Sequence, residues 1–366
     1  TNLTIASYFN DNIAPERLLR YLEASTGERI IAGETLIFFD EIQSCERALT
    51  SLKYFCEETP EFHIAAAGSL LGVAMNRQHY SFPVGKVETI TMYPLNFEEY
   101  LWARGKEFLA SEIRSAFETM IALPDALHAE ATELYREYLL IGGMPASINA
   151  FLRSGSFLDV SLVQNEILDN YIADMAKYAS NADSVKIRAC YNSIPAQLAK
   201  DNRKFQYKVV QKGGSASLFG ASIEWLYLAG VVLKCQRISQ AFEPISVYAD
   251  LSAFKLYMGD VGLLTAKSGL SQQTVLSGEG NTFMGAVTEN YVAQQLAANG
   301  HDLYYWESNN TAELDFVLQS GNQVMAIEVK KGEHVRSRSL NLFIGTYHPS
   351  LSLIHISEPT RHLRIS

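Results

Sequence analysis

Residues Leu36–Gln43 read LIFFDEIQ, four apolar side chains running directly into Asp40 and Glu41. A short continuous apolar run is the pattern of a strand buried on both faces, as in a parallel sheet covered by helices. Upstream, Pro15–Thr26 (PERLLRYLEAST) places apolar residues at helical spacing, with Pro15 suited to a first helical turn. Downstream, Ala48–Glu58 reads as a helix and His63–Ala67 as a second buried strand. Strand, helix, strand in this rhythm predicts a parallel α/β sheet.

Ligand crevices in open α/β sheets lie at the C-terminal ends of the strands, and that is where Asp40 and Glu41 stand. In phosphoryl-transfer ATPases the first acid helps hold Mg²⁺ and the next carboxylate orients the attacking water. Asp40 takes the metal role on this reading and Glu41 the role of base. The plainer reading is a strand that ends in two solvated acids. The order of the strands weighs against it: HIAAAGS ends the second strand with Gly68 and Ser69, and Ser69 then falls where such ATPases keep a residue that senses the γ-phosphate.

Beyond this region, residues from Tyr100 to Lys177 are almost wholly helical in pattern, broken at Ile141–Pro145 (IGGMP). From Ala182 to about Ala266 short helices precede β-rich segments, Val231–Ile238 and Ile245–Ala249, an order that suggests a winged-helix module. A last α/β unit runs from Gly285 to Tyr347. Within it, Glu313–Lys330 (ELDFVLQSGNQVMAIEVK) reads as two strands around Ser-Gly-Asn. A two-residue turn at Gly321-Asn322 sets Asp315 directly opposite Glu328; a turn at Ser320-Gly321 sets it diagonally. Either register leaves Asp315, Glu328 and Lys330 on one face, because strand side chains alternate with period two. Two carboxylates that bind Mg²⁺ or Mn²⁺, and a Lys that steadies a water or phosphate charge, are the parts of metal-assisted phosphodiester hydrolysis.

Composition bounds these readings. The chain has 366 residues, 48% apolar and 19% charged, an ordinary globular mixture long enough for more than one domain. No apolar run approaches the roughly 18 residues of a membrane span, and no leader pattern opens the chain, so no membrane partner and a cytoplasmic location are expected. Cys45, Cys56, Cys190 and Cys235 are scattered without a C-x-x-C pair and read as reduced thiols. A net charge of −10 argues against a surface that coats nucleic acid as a whole, while leaving room for one basic face. Lys200, Arg203, Lys204, Lys208 and Lys212 supply a loose basic stretch that can meet phosphates, although a solvated face is the simpler reading.

DEIQ, SLKYF, AAAGSLLGVA, SFPVGKVE and MYPLNFEEYL resemble consecutive signatures of one family of P-loop ATPases, in which an AAA-type domain precedes a DUF4143-type domain. SASLFGASIEWLYLAGVVLKC and FKLYMGDVGLL resemble the C-terminal region of the same family, and the resemblance runs to about Pro349. The acid followed by E-x-K resembles the PD-(D/E)xK nuclease signature, with Glu289, in GAVTENYVAQQLAA, matching the further acid such nucleases carry on the preceding helix. The resemblance implies ATP and Mg²⁺ as cofactors, DNA as the favoured nucleic-acid partner, and assembly into homo-oligomers. Its catalytic set is Glu41, Asp315, Glu328 and Lys330. Asp40 and Ser69 bind the nucleotide, and Asp40, Glu289, Asp315 and Glu328 bind metal.

The implied layout is an AAA-type ATPase domain over 1–103, a helical lid or linker over 104–180, a winged-helix-like part over 181–268 and a restriction-endonuclease-like α/β domain over 280–349. Residues 350–366 break the preceding pattern, and ISEPTRH resembles translated adapter sequence, so a foreign tail is expected there. The family's G-x-x-x-x-G-K-[ST] loop, whose backbone N–H groups cradle phosphates, occurs nowhere in the 366 residues. Truncation upstream is the expectation, with weak ATP binding by the chain as it stands. Three roles remain open: an ATP-driven protein with a DNA-directed, nucleolytic domain; an ATP-dependent switch whose nuclease-like domain only binds nucleic acid or a protein; and a signalling ATPase without nucleic acid.

Overall fold

A computed structural model describes residues 3–10, 12–68, 72, 83, 85–278, 281–308, 312–330 and 337–356. The chain divides into two compact units, the first of residues 1–91 with 228–230, the second of residues 92–227 and 231–366.

In the first unit α1 (Leu3–Ser7) and α2 (Pro15–Thr26) precede β1 (Leu36–Phe39), α3 (Glu46–Glu58) and β2 (His63–Ala66). Helix α2 begins on Pro15 and stops at Gly27, whose φ of 73° lets its N–H reach the Glu23 carbonyl. Strands β1 and β2 pair in parallel, Leu36 with His63 through Phe39 with Ala66. Leu18, Leu22, Phe55 and Phe9 close over one face of the pair around buried Ile37. Burial on both faces was the expectation for LIFF, and it does not hold: Leu36 and Phe38, which share the opposite face, are exposed. Leu36 and Phe38 line a cavity of about 710 Å³ together with Ile5, Ala6 and Leu22 of the preceding helices.

The second unit begins with helices α4 (Phe97–Ala103), α5 (Glu107–Thr119), α6 (Asp125–Ile141), α7 (Pro145–Ser154), α8 (Phe157–Tyr178), α9 (Asn181–Leu198), α10 (Tyr207–Val210) and α11 (Ala216–Leu228). Strands β3 (Val232–Ile238) and β4 (Ala249–Met258) follow, then α12 (Val261–Ser268), α13 (Gln272–Ser277) and α14 (Met284–Ala298). A closing run holds β5 (Tyr304–Ser308), β6 (Ala312–Ser320), β7 (Gln323–Lys330), α15 (Arg338–Tyr347) and β8 (Leu351–Ile356). No helix of the described residues is long and apolar enough to cross a membrane.

One six-stranded sheet, ordered β4-β3-β5-β6-β7-β8, organises this unit. Strands β3 and β4 are antiparallel, β3 runs parallel to β5, β5 to β7 form an antiparallel meander, and β8 returns parallel to β7. The β3–β4 hairpin, expected from sequence in a winged-helix module, is continuous with this sheet. Val232, Leu233, Cys235 and Ile238 are all buried, so β3 needs cover on both faces and neighbours on both edges, and β5 supplies the second edge. Residues set aside as a foreign tail also begin inside the sheet, since Leu351–Ile356 pairs with β7 from Met325 to Lys330.

The sheet's core is built from Ile238, Trp306, Leu314, Val317 and Ala326, with Phe343 of α15 meeting Trp306 edge-on at 5.3 Å. Helix α14 packs against β3, β4 and β7. The helical part is tied to the sheet at the IGGMP break. Buried Asp260 caps α12 through the Leu263 N–H at 2.9 Å and accepts the Gly143 N–H at 2.6 Å. Gly142 has φ of 73°, and a Cβ there would lie 2.2 Å from the Asp260 carboxylate. Asp260 thus caps α12 and holds the Gly142-Gly143 turn at once.

Candidate functional site

The first candidate site stands at the end of β1. Asp40 is exposed, and one of its oxygens accepts the Glu41 N–H at 3.0 Å. Glu41 takes a left-handed conformation, φ 53°, ψ 40°, which a non-glycine residue adopts at a cost of roughly 1 kcal/mol. The turn is held by the Gln43 amide, which donates to the Glu41 carboxylate at 2.7 Å, and by the Ile42 N–H on the Ala67 carbonyl at 3.1 Å. Both acids line the 710 Å³ cavity with Arg29, Ser44 and Cys45. An exposed carboxylate at a cavity mouth is a hard oxygen donor open to a hydrated Mg²⁺, so Asp40 suits the role its position suggests. Ser69 lies outside the described residues.

The second site lies on the face of the six-stranded sheet. The β6–β7 ladder runs from Ser320 opposite Gln323 to Phe316 opposite Ile327. Gly321-Asn322 is therefore the turn, with Gly321 at φ 58°. The next rung places Asp315 opposite Glu328. Asp315 accepts the Val329 N–H at 2.7 Å, and Lys330 pairs with Glu328 at 2.5 Å. Burial raises the Glu328 carboxyl above its usual range, with the Asp315 charge adding to the rise and Lys330 opposing it.

Glu289 of α14 is fully buried and reaches the same face from below. Its carboxylate is claimed by three groups, the Lys255 ammonium at 3.0 Å, the Tyr257 hydroxyl and the Arg203 guanidinium. Lys255, itself 1% exposed, also pairs with Glu313 at 2.6 Å and with Asp315 at 3.8 Å. Three carboxylates thus converge on one ammonium nitrogen. A second ionic group adjoins them: Glu307 receives Lys204 and, at 3.3 Å, Arg237, which also meets Asp250 at 2.5 Å.

Of the residues expected from sequence, Asp315, Glu328 and Lys330 share a face, and Glu289 joins Asp315 through Lys255. Sequence reasoning gave no role to Lys255, Tyr257 or Glu313. The signal was present in period two, since Lys255 and Tyr257 of β4 share a face, as do Glu313 and Asp315 of β6. Arg203 and Lys204, read as members of a basic stretch, are drawn into the sheet's carboxylates instead. The carboxylates in this arrangement do not fit a divalent ion, because the point where their oxygens converge is occupied by Lys255 Nζ. Among the described residues no group of three or more His, Cys, Asp or Glu side chains is disposed to hold a metal.

Comparison with known proteins divides the chain in three. Residues 4–101 match the family model of an AAA domain, residues 132–274 that of DUF8612, a domain of unknown function, and residues 284–357 that of DUF4143, a domain of unknown function. Uncharacterized proteins of Mycobacterium tuberculosis and Mycobacterium bovis are each 35% identical to this chain over 79 residues, 21% of this chain and 18% of theirs. The chain thus spans 18% of the length of the curated relatives it matches. A Walker-type ATPase of Pyrococcus abyssi aligns at a TM-score of 0.40 and 15% identity over 69% of this chain and 66% of that one, too distant a likeness to assign a shared fold. The six-stranded sheet crosses the boundary between the second and third matches, with β3 and β4 in one and β5 to β8 in the other.

Proposed function

We propose that this chain, an AAA-type ATPase with a DUF4143 domain at its C-terminal end, is an ATP-driven switch whose C-terminal domain binds DNA without cutting it. The observation that carries the ATP half is the Asp40-Glu41 pair at the C-terminal end of β1, with β2 parallel beside it, inside the stretch that matches an AAA domain. Asp40 would hold Mg²⁺ and with it the nucleotide phosphates; the bound ion neutralises charge that develops during phosphoryl transfer. Glu41 orients the attacking water, and its left-handed backbone turns the carboxylate out of the strand toward the cavity.

The DNA half rests on the resemblance of Glu289, Asp315, Glu328 and Lys330 to a nuclease signature. Binding is favoured over cutting by the pairing of those carboxylates with Lys255, Arg203 and Lys330. No hydrolytic step is assigned to them.

The ATP half is tested first on the source DNA upstream of the codon for Thr1. A G-x-x-x-x-G-K-[ST] within about 60 codons, behind a strand-like run, supports it; a start codon with no such loop removes it. On the frame so defined, Glu41→Gln is expected to lower ATP hydrolysis about 100-fold or more, the usual worth of a positioned base. The DNA half is tested by binding at two salt concentrations, with nuclease assays in Mg²⁺ and Mn²⁺ and Glu328→Ala as control. Salt-sensitive binding without cleavage is expected. Metal-dependent cleavage that Glu328→Ala abolishes would restore the nucleolytic role, and no salt-sensitive binding would leave a switch that does not engage DNA.

A further inference from the structure

We infer that the Lys255 ammonium stands in the place of a divalent cation on the sheet face, so that this carboxylate cluster takes no metal until Lys255 is removed. The inference rests on the reading of the C-terminal domain as one that binds without cutting, and it says why.

Lys255 Nζ lies 3.0 Å from Glu289, 2.6 Å from Glu313 and 3.8 Å from Asp315. These carboxylates come from α14 and from one face of β6, and the ammonium gathers all three. Hard cations need oxygens at roughly 2.0–2.6 Å arranged around them. A divalent ion placed among these oxygens would lie against the ammonium, and two like charges at that separation in a buried site repel strongly. One cation or the other occupies the site.

The ammonium is fixed there by its surroundings. Lys255 is 1% exposed, with its stem in the buried stretch of β4 and its Nζ 5.1 Å from the centre of the Tyr305 ring. The stretch that precedes α10 is laced to the same strand: the Phe205 N–H donates to the Phe254 carbonyl at 2.9 Å, and Lys204 bridges Lys255 through the backbone. This lacing carries Arg203, at φ 45°, onto the second oxygen of Glu289. Two internal cations therefore take Glu289, and Lys330 takes Glu328, whose other oxygen is buried without a hydrogen-bond partner among the described residues.

The test is Mn²⁺ uptake by the full chain, read by electron paramagnetic resonance, in the wild type, Glu289→Gln, Lys255→Ala and the double variant. The wild type and Glu289→Gln should bind the same number of Mn²⁺ ions. Lys255→Ala should gain one equivalent, and the double variant should lose it again. A wild type that loses one equivalent on Glu289→Gln overturns the inference, as does a folded Lys255→Ala that gains none. Should Lys255→Ala fail to fold, the wild type and Glu289→Gln decide alone. Neither readout uses ATP or DNA. A wild type that binds Mn²⁺ through Glu289 yet cuts nothing would sink this inference and leave the proposed function standing; failure to bind ATP or DNA would do the reverse.

Discussion

Two pairs of acids sit on strands in this molecule, and they stand in opposite electrostatic states. Asp40 and Glu41 end a strand in the open, at the wall of a cavity, with one of the two held in a strained backbone turn. Asp315 and Glu328 face each other across a hairpin and are neutralised from within, by Lys255 and Lys330. Each pair reads from sequence as a metal-binding motif of similar strength. What separates them is the group opposite. An acid that faces solvent and a cavity is available to a ligand, whereas an acid that faces a buried ammonium has already found its counter-ion.

The largest test of this contrast is stability. Lys255→Met leaves Glu313 and Asp315 without the buried ammonium and Glu289 with Arg203 alone, and removing one partner of a buried pair in this way costs about 3–5 kcal/mol. Asp40→Asn, at an exposed position, should stay within about 0.5 kcal/mol of the wild type. Urea unfolding of both variants measures the difference, and equal losses would break the comparison.

Asp260 offers a buried acid with neutral donors only, intermediate between the two pairs. Burial pushes its pKa up to about 6 despite the Gly143 and Leu263 N–H groups. A folded-state pKa above the unfolded one means that folding favours the protonated acid. Its stabilising contribution is therefore complete below the unfolded value and is lost as pH rises toward 6. The loss is about 3 kcal/mol, since each tenfold difference in proton affinity between the two states is worth about 1.4 kcal/mol. Thermal unfolding between pH 4 and 7 should show this decline in the wild type relative to Asp260→Asn; parallel curves would remove Asp260 as its source.

Two smaller substitutions sharpen the picture at the turns. Gly321→Val places a β-branched residue at φ 58° in the turn that sets Asp315 opposite Glu328, and should cost about 1–2 kcal/mol in urea unfolding. No cost would mean that the hairpin register does not depend on that turn. Glu41→Gly relieves the left-handed strain and should leave stability equal or higher by about 1 kcal/mol, while removing the carboxylate proposed to orient the attacking water. A marked loss of stability would show that Glu41 belongs to the fold and not to a site.

Much of the local structure was legible because it depends on neighbours in sequence. Pro15 and Gly27 bracket α2, and LIFF and HIAA give β1 and β2 through short apolar runs. SGN gives the β6–β7 hairpin, with the choice between two registers settled by Gly321-Asn322 as the turn. The sheet that the β3–β4 hairpin joins was not legible, because a hairpin looks the same in sequence whether its outer edge meets water or a third strand. Here Gln236 to Ile238 of β3 meet Tyr304 to Trp306 of β5. Leu351–Ile356 breaks the preceding pattern and runs into ISEPTRH, which reads as foreign, and its pairing with β7 is visible only across the intervening α15.

The sequence by itself determined the locally encoded elements α2, β1, β2 and the β6–β7 hairpin, which acids share a face, and the family resemblance that the AAA and DUF4143 matches support. These follow from side-chain periodicity and turn chemistry, which act over a few residues. Only the tertiary structure decided what faces each acid. Lys255 lies 60 positions before Asp315 and 34 before Glu289 in the numbering, yet its ammonium sits between them. Charge pairing is a property of distance through space in a medium of low dielectric, and no periodicity along the chain encodes that distance.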